Sequence, residues 1–78
     1  MKPGKYKHYK GNYYQVLGVT LHTETREKMV LYRPLYACPD LKEEYGDDPL
    51  FVRPFAMFNE NVEIDGKVVP RFKYVSEI

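Results

Sequence analysis

Apolar and polar positions alternate along most of this chain, and proline or glycine interrupts the alternation every few residues. Period-two alternation places successive side chains on opposite faces of an extended strand. In residues 4–9, Tyr6 and His8 share one face, while Lys5, Lys7 and Tyr9 share the other. Lys10-Gly11-Asn12 reads as a turn, because Gly and Asn tolerate positive φ. Residues 12–22 predict the longest strand. Tyr13, Gln15, Leu17, Val19 and Leu21 fall on one face, and Tyr14, Val16, Gly18, Thr20 and His22 on the other. The first set is the more continuous apolar one and is expected to point inward. Gly18 in mid-strand predicts a bulge or a bend, as a small barrel needs at its corners.

The polar stretch 23–27 makes a connection, and residues 28–33 predict the next strand, ended by Pro34. Residues 35–49 carry prolines near both ends and are expected to be irregular; so long a loop in a small domain is uncommon and usually functional or mobile. Residues 50–53 predict a short strand, closed by Pro54. Residues 55–58 (Phe-Ala-Met-Phe) suit one 3-10 turn. Asp65-Gly66, between apolar-alternating arms at 61–64 and 67–74, is the preferred type I′ hairpin signal. Pro70 marks the second arm as an edge strand or a bulge. These elements predict an all-β fold: a small SH3-like barrel of five or six short antiparallel strands, forming a single domain over residues 1–78. An α+β sandwich would require a helix over residues 35–48, which the prolines and Gly46-Asp47-Asp48 oppose.

Composition sharpens this picture. Eight tyrosines and four phenylalanines make up 15% of the 78 residues, and a chain of this size buries only about 60–65% of its unfolded surface. Aromatic rings are therefore the expected core. The one cysteine, Cys38, leaves no internal disulfide, and no Cys/His spacing suggests zinc. No metal or cofactor is expected. Cys38 could act as a nucleophile only beside a base, and the sequence places none there. No apolar run approaches the roughly 18 residues of a membrane span, so no membrane partner is expected. The lysine-rich N-terminus lacks the apolar stretch of an export signal, and a lone cysteine fits a reducing compartment, so the expected location is the cytoplasm.

The net charge of +1 says nothing about partners, and its distribution suggests one basic end and one acidic loop, or simply two solvated surfaces. Lys2, Lys5, Lys7 and Lys10 form a basic N-terminal segment, and Asp40, Glu43, Glu44, Asp47 and Asp48 an acidic loop.

Several motifs, taken in order, resemble a known family. They are residues 8–19 (His-Tyr-Lys-Gly-Asn-Tyr-Tyr-Gln-Val-Leu-Gly-Val), 22–25 (His-Thr-Glu-Thr) and 31–36 (Leu-Tyr-Arg-Pro-Leu-Tyr), followed by 51–58 (Phe-Val-Arg-Pro-Phe-Ala-Met-Phe) and 62–72 (Val-Glu-Ile-Asp-Gly-Lys-Val-Val-Pro-Arg-Phe). Together they resemble the bacterial family known as domain of unknown function 1653. The resemblance covers nearly the whole chain. It implies the fold and the boundaries, and it supplies no activity. The family usually has a shorter, glycine-rich connection in place of residues 37–49, and commonly Trp at the position of Phe51.

Candidate chemistry rests on three groups. His22 and Glu24, two apart on an extended segment, face the same side; with His8 they could bind a metal or perform acid/base work, or a histidine could simply bond a backbone group at a strand end. Tyr9, Lys10, Tyr13, Tyr14, Tyr32, Arg33, Tyr36 and Arg53 interleave rings with cations, the combination with which small barrels stack bases and hold phosphates. The same tyrosines could instead be core. Arg33-Pro34 and Arg53-Pro54 each end a strand on a residue of fixed φ, which preorganises an arginine for a carboxylate or phosphate.

The expected function is a non-enzymatic binding module. Its ligand is a nucleotide or short nucleic-acid segment, and the candidate ligand-binding residues are His8, Tyr9, Lys10, His22, Glu24, Tyr32, Arg33 and Arg53. No catalytic residue is assigned. The alternative is a protein-interaction or homo-oligomeric assembly module, suggested by the edge strand with Pro70 and the apolar C-terminal tail. A third reading is an oligomeric pore-type reductase of dihydrofolate, suggested only by a short likeness at residues 53–58.

Overall fold

A computed structural model describes residues 1–78. Seven strands run through the chain: β1 (Gly4–His8), β2 (Tyr13–Leu21), β3 (Lys28–Pro34), β4 (Phe51–Pro54), β5 (Asn61–Ile64), β6 (Lys67–Pro70) and β7 (Phe72–Ser76). Five of them form one antiparallel sheet in the order β4-β3-β2-β1-β7, and β5 and β6 form a separate hairpin. The all-β expectation holds. The extra strand arises at Pro70, which cannot donate to a ladder. There the chain leaves β6, Arg71 N–H donates to the Glu60 carbonyl at 2.9 Å, and β7 crosses to pair with β1.

The sheet is rolled. In a flat sheet β3 and β7, three spacings apart, would lie about 14 Å from each other. Yet the rings of Tyr32 on β3 and Phe72 on β7 have centroids 5.7 Å apart. The outer strands β4 and β7 share no ladder, so the roll is not closed by hydrogen bonds.

Phe58 fills the concavity. It stacks on Phe72 with centroids 4.0 Å apart and meets Tyr6 and Tyr32 edge-on at 5.7 and 5.3 Å. Tyr6, Val16, Val30, Tyr32, Phe58 and Phe72 form the buried core, with Tyr14, Phe51, Phe55 and Tyr74 packed against it. Edge-to-face and offset pairs of this kind contribute about 0.5–1.5 kcal/mol each beyond the area they bury.

The inward face of β2 differs from the sequence expectation. Val16 is buried and Tyr14 half-buried, whereas Tyr13 and Leu17 are exposed. Directly paired residues share a face, and Tyr14 and Val16 pair with Pro34 and Tyr32 on the core side. The cause is the bulge that Gly18 signalled: the register slips between Val16 and Gly18, leaving Leu17 unpaired. Beyond it Val19 lies opposite Val30 on the core side, although it remains exposed. A count of two carried straight through a bulge is out of phase on one side of it.

Two further differences concern turns. Residues 55–58 make a single α-helical turn, α2 (Phe55–Phe58), capped by Asn59, whose N–H and side-chain amide both donate to the Phe55 carbonyl. The 3-10 turn lies instead at Pro39–Leu41 and leads into one α-helical turn, α1 (Lys42–Tyr45). The long connection is therefore partly ordered, which the sequence reading did not anticipate. Within reach of it, Arg33 lies 3.6 Å from Asp48, and inside it Lys42 lies 3.4 Å from Asp47; both pairs are largely exposed and contribute little. No helix is long and apolar enough to cross a membrane.

Candidate functional site

β4 carries Phe51 and Arg53 two residues apart, so both point to the same side. Their partners on β3 are Tyr32 and Val30, both buried, which makes that side the core side. A guanidinium is thereby brought to the rim of the aromatic core. Arg53 Nε donates to the Tyr32 hydroxyl at 3.2 Å, and its guanidinium carbon stands 5.4 Å from the centre of the Phe72 ring. Its terminal nitrogens make no hydrogen bond or ion pair within the chain. An arginine oriented this way keeps a two-pronged donor face for an incoming anion.

Beside it, Tyr14, Tyr32 and Phe51 form a row of edge-to-face rings, at 5.6 Å from Tyr14 to Tyr32 and 5.6 Å from Tyr32 to Phe51. The loop after β3 closes the other side with Leu41, Tyr45 and Leu50. The result is a hollow of about 470 Å³, lined mostly by apolar side chains with Arg53 as its cation. Small-molecule sites are commonly about 300–1,000 Å³ and mainly apolar with few polar groups, so the hollow falls within that range.

Burial pushes the Tyr14 hydroxyl up to about 12, helped by its hydrogen bond with the Tyr36 hydroxyl at 2.8 Å and by the nearby Tyr36 and Cys38 groups, against a smaller opposing effect of Arg53. His8 is held below the usual imidazole value, first by burial and then by Arg53, Arg71 and Lys10. Its Nδ1 accepts from the Lys10 N–H at 3.1 Å, and its ring packs 4.9 Å from Phe72 and 4.5 Å from Tyr9. His8 is therefore a neutral wedge between Tyr9 and the core.

The expected site residues fall into three places. Tyr32 and Arg53 meet in the hollow. His8 and Tyr9 line a different hollow with Lys7, Lys73 and the Val69-Pro70 end of β6, and Lys10 lies over the Tyr9 ring, 5.9 Å from its centre. Arg33 lies elsewhere: it pairs with Gln15 on the outward face, donates to the Gln15 side chain at 2.7 Å, and reaches Asp48. The two Arg-Pro steps are thus not equivalent, because their arginines sit on opposite faces of one sheet. His22 and Glu24 line a separate hollow with Thr20, Met29 and Leu31. His22 Nδ1 accepts from the Thr25 N–H at 3.3 Å, the strand-end backbone role left open above. No three His, Cys, Asp or Glu side chains come together as a metal site.

The sequence names Tyr14 among the rings interleaved with cations but not in the final ligand-binding set, and it does not point to Phe51, Tyr45 or Leu50. Phe51 could have been found from its two-residue spacing to Arg53. The unphased bulge put Tyr14 on the wrong face, and Tyr45 and Leu50 depend on how the loop folds back.

The chain matches the family described as "Protein of unknown function (DUF1653)" over residues 4–74. It belongs to the DUF1653 family. A crystal structure of a DUF1653 protein from Bordetella bronchiseptica is similar at 37% identity and a TM-score of 0.85, covering 100% of this chain and 91% of that one. No protein of curated function matches the chain. Membership in DUF1653 thus supports the fold across the region that builds the hollow, and its chemistry must be read from the residues themselves.

Proposed function

We propose that this DUF1653 protein is a non-enzymatic binding module for a nucleotide, held in the hollow between the β3–β4 face and the loop after β3. The observation that carries this reading is the meeting of Tyr14, Tyr32 and Phe51 with Arg53 around one cavity of about 470 Å³. A planar base meets the rings of Tyr14, Tyr32, Phe51 and Tyr45 in the lining; stacking of a base on an aromatic contributes about 1–3 kcal/mol. A phosphate finds the free prongs of Arg53. The lining includes no carboxylate, imidazole or thiol, which supports binding rather than turnover. Calorimetric titration with the four ribonucleoside monophosphates tests it. Saturable binding to at least one is expected, weakened at least tenfold in Arg53→Met; no heat from any of them at millimolar concentration contradicts it.

An assembly role is favoured by a different feature. The β5–β6 hairpin stands apart from the main sheet, and its Val68 and Ile64 are 68% and 40% exposed. Light scattering tests that reading: an oligomer broken by Val68→Lys supports it, and a monomer at all concentrations removes it.

A further inference from the structure

The outward face of β7-β1-β2 bears no part of the hollow, and its charges are arranged against the fold's own interest. Lys7 on β1 lies directly opposite Lys73 on β7 and, on its other side, opposite Tyr13 on β2. One step along, Lys5 lies opposite Gln15, which lies opposite Arg33. Like charges directly opposed across a ladder destabilise a sheet. No ion pair offsets the Lys7–Lys73 opposition: the ion pairs of the chain are Arg33–Asp48, Lys42–Asp47 and Arg71–Glu60, and none involves Lys5, Lys7 or Lys73. Both Lys5 and Lys7 instead lean over the exposed Tyr13 ring, at 4.4 and 5.8 Å from its centre.

We infer that this face binds the phosphodiester backbone of a single-stranded nucleic acid, with Lys5, Lys7 and Lys73 on phosphates and Tyr13 stacking a base. Lys5 and Lys7, two residues apart on one strand, stand about 7 Å apart, so they meet neighbouring phosphates of an extended strand. A base stacked on Tyr13 gains more than an exposed lysine gains over the same ring, so the strand displaces the lysines from the ring onto its phosphates. The charge complementarity selects a polyanion. Gln15 and Ser76 lie between the cations, and Val75 and Leu17, 46% and 40% exposed, are the apolar side chains near them; so few apolar groups favour nucleic acid over a membrane surface, which an interfacial segment enters with a broad apolar face. The inference uses residues separate from the nucleotide hollow and stands or falls apart from it.

The test is fluorescence anisotropy of labelled oligothymidylate of about ten nucleotides, titrated with the whole chain at several salt concentrations. Three neutralised phosphates predict a slope of log affinity against log salt of about −2. Lys7→Glu is the informative variant, because it faces Lys73 with an opposite charge. Its melting temperature should be no lower than that of the parent, while its affinity drops roughly tenfold and its salt slope shrinks by about one contact. Lys67→Glu makes the same charge change beside the Asp65-Gly66 turn, in a strand that pairs only with β5, and should leave binding intact. No binding at low salt overturns the inference. So does equal binding by Lys7→Glu and the parent, equal loss in Lys67→Glu, or binding to phosphatidylserine vesicles but not to the oligonucleotide.

Discussion

The five-stranded sheet and the β5–β6 hairpin are both antiparallel, yet their registers are held by different means. In the hairpin the turn does the work: Asp65 and Gly66 both adopt positive φ, 50° and 80°, the geometry of a two-residue type I′ turn. Its strands carry Val62 against Val69 and Ile64 against Lys67, with little behind them. In the sheet the rings do the work: Phe58 ties β1, β3 and β7 together from inside the roll. Local sequence thus specifies the part that contributes least to the core, and long-range packing specifies the part that carries the hollow.

The sharpest way to break this contrast is Phe58→Ala. Removing a fully buried ring costs about 3–5 kcal/mol, so chemical denaturation should show most of the stability of so small a domain gone; a loss below about 1 kcal/mol would mean that the rings do not hold the roll. Gly4→Ala comes next. Gly4 sits at φ 139°, and a Cβ there would fall 2.5 Å from the Ser76 carbonyl oxygen, forcing β7 away from β1. A loss of about 1–3 kcal/mol is expected. Gly66→Ala, in the hairpin turn at φ 80°, should cost only about 1 kcal/mol, with amide exchange faster in β5 and β6 and unchanged in β2 and β3.

The same contrast separates what was legible in the sequence from what was not. The Asp-Gly turn, the Lys10-Gly11-Asn12 turn and the all-β class follow from local residue chemistry that few alternatives share. The bulge at Leu17 was signalled by Gly18, but its phase was not, because a glycine does not say which neighbour is left unpaired. That one ambiguity placed Tyr13 and Leu17 inside and Tyr14 and Val16 outside. The site was legible only in part, for the same reason. Tyr32 and Arg53 announced themselves as a ring and a strand-end cation. Arg33 looked identical until pairing with Gln15 placed it on the other face. The hollow's far wall depends on helical turns at residues 39–45, where the prolines pointed only to irregular chain.

Smaller effects should follow from the two titrating groups beside the hollow. The native Tyr14 hydroxyl ionises at about 12 and the unfolded one near 10. Its contribution to stability is therefore complete below pH of about 10 and lost as pH rises toward the native value. Tyr14→Phe should flatten that alkaline decline in thermal melts at graded pH. His8 titrates the other way. Its native value lies below the ordinary one, so the unfolded chain takes up the proton first. Stability should fall as pH drops below about 6.5, and His8→Gln should reduce that slope. An unchanged slope in either variant would show that the group is not set by the packing described.

We propose that the hollow the rolled sheet and the folded-back loop create around Arg53 binds a nucleotide. Amide chemical-shift mapping by NMR, with a ribonucleoside monophosphate added to the whole chain, tests it most directly. The account predicts saturable shifts concentrated in β4, around Tyr14 and Tyr32, and in residues 41–50, with the β5–β6 hairpin silent. Shifts centred on the hairpin or the His22 hollow, or none at millimolar nucleotide, would contradict it.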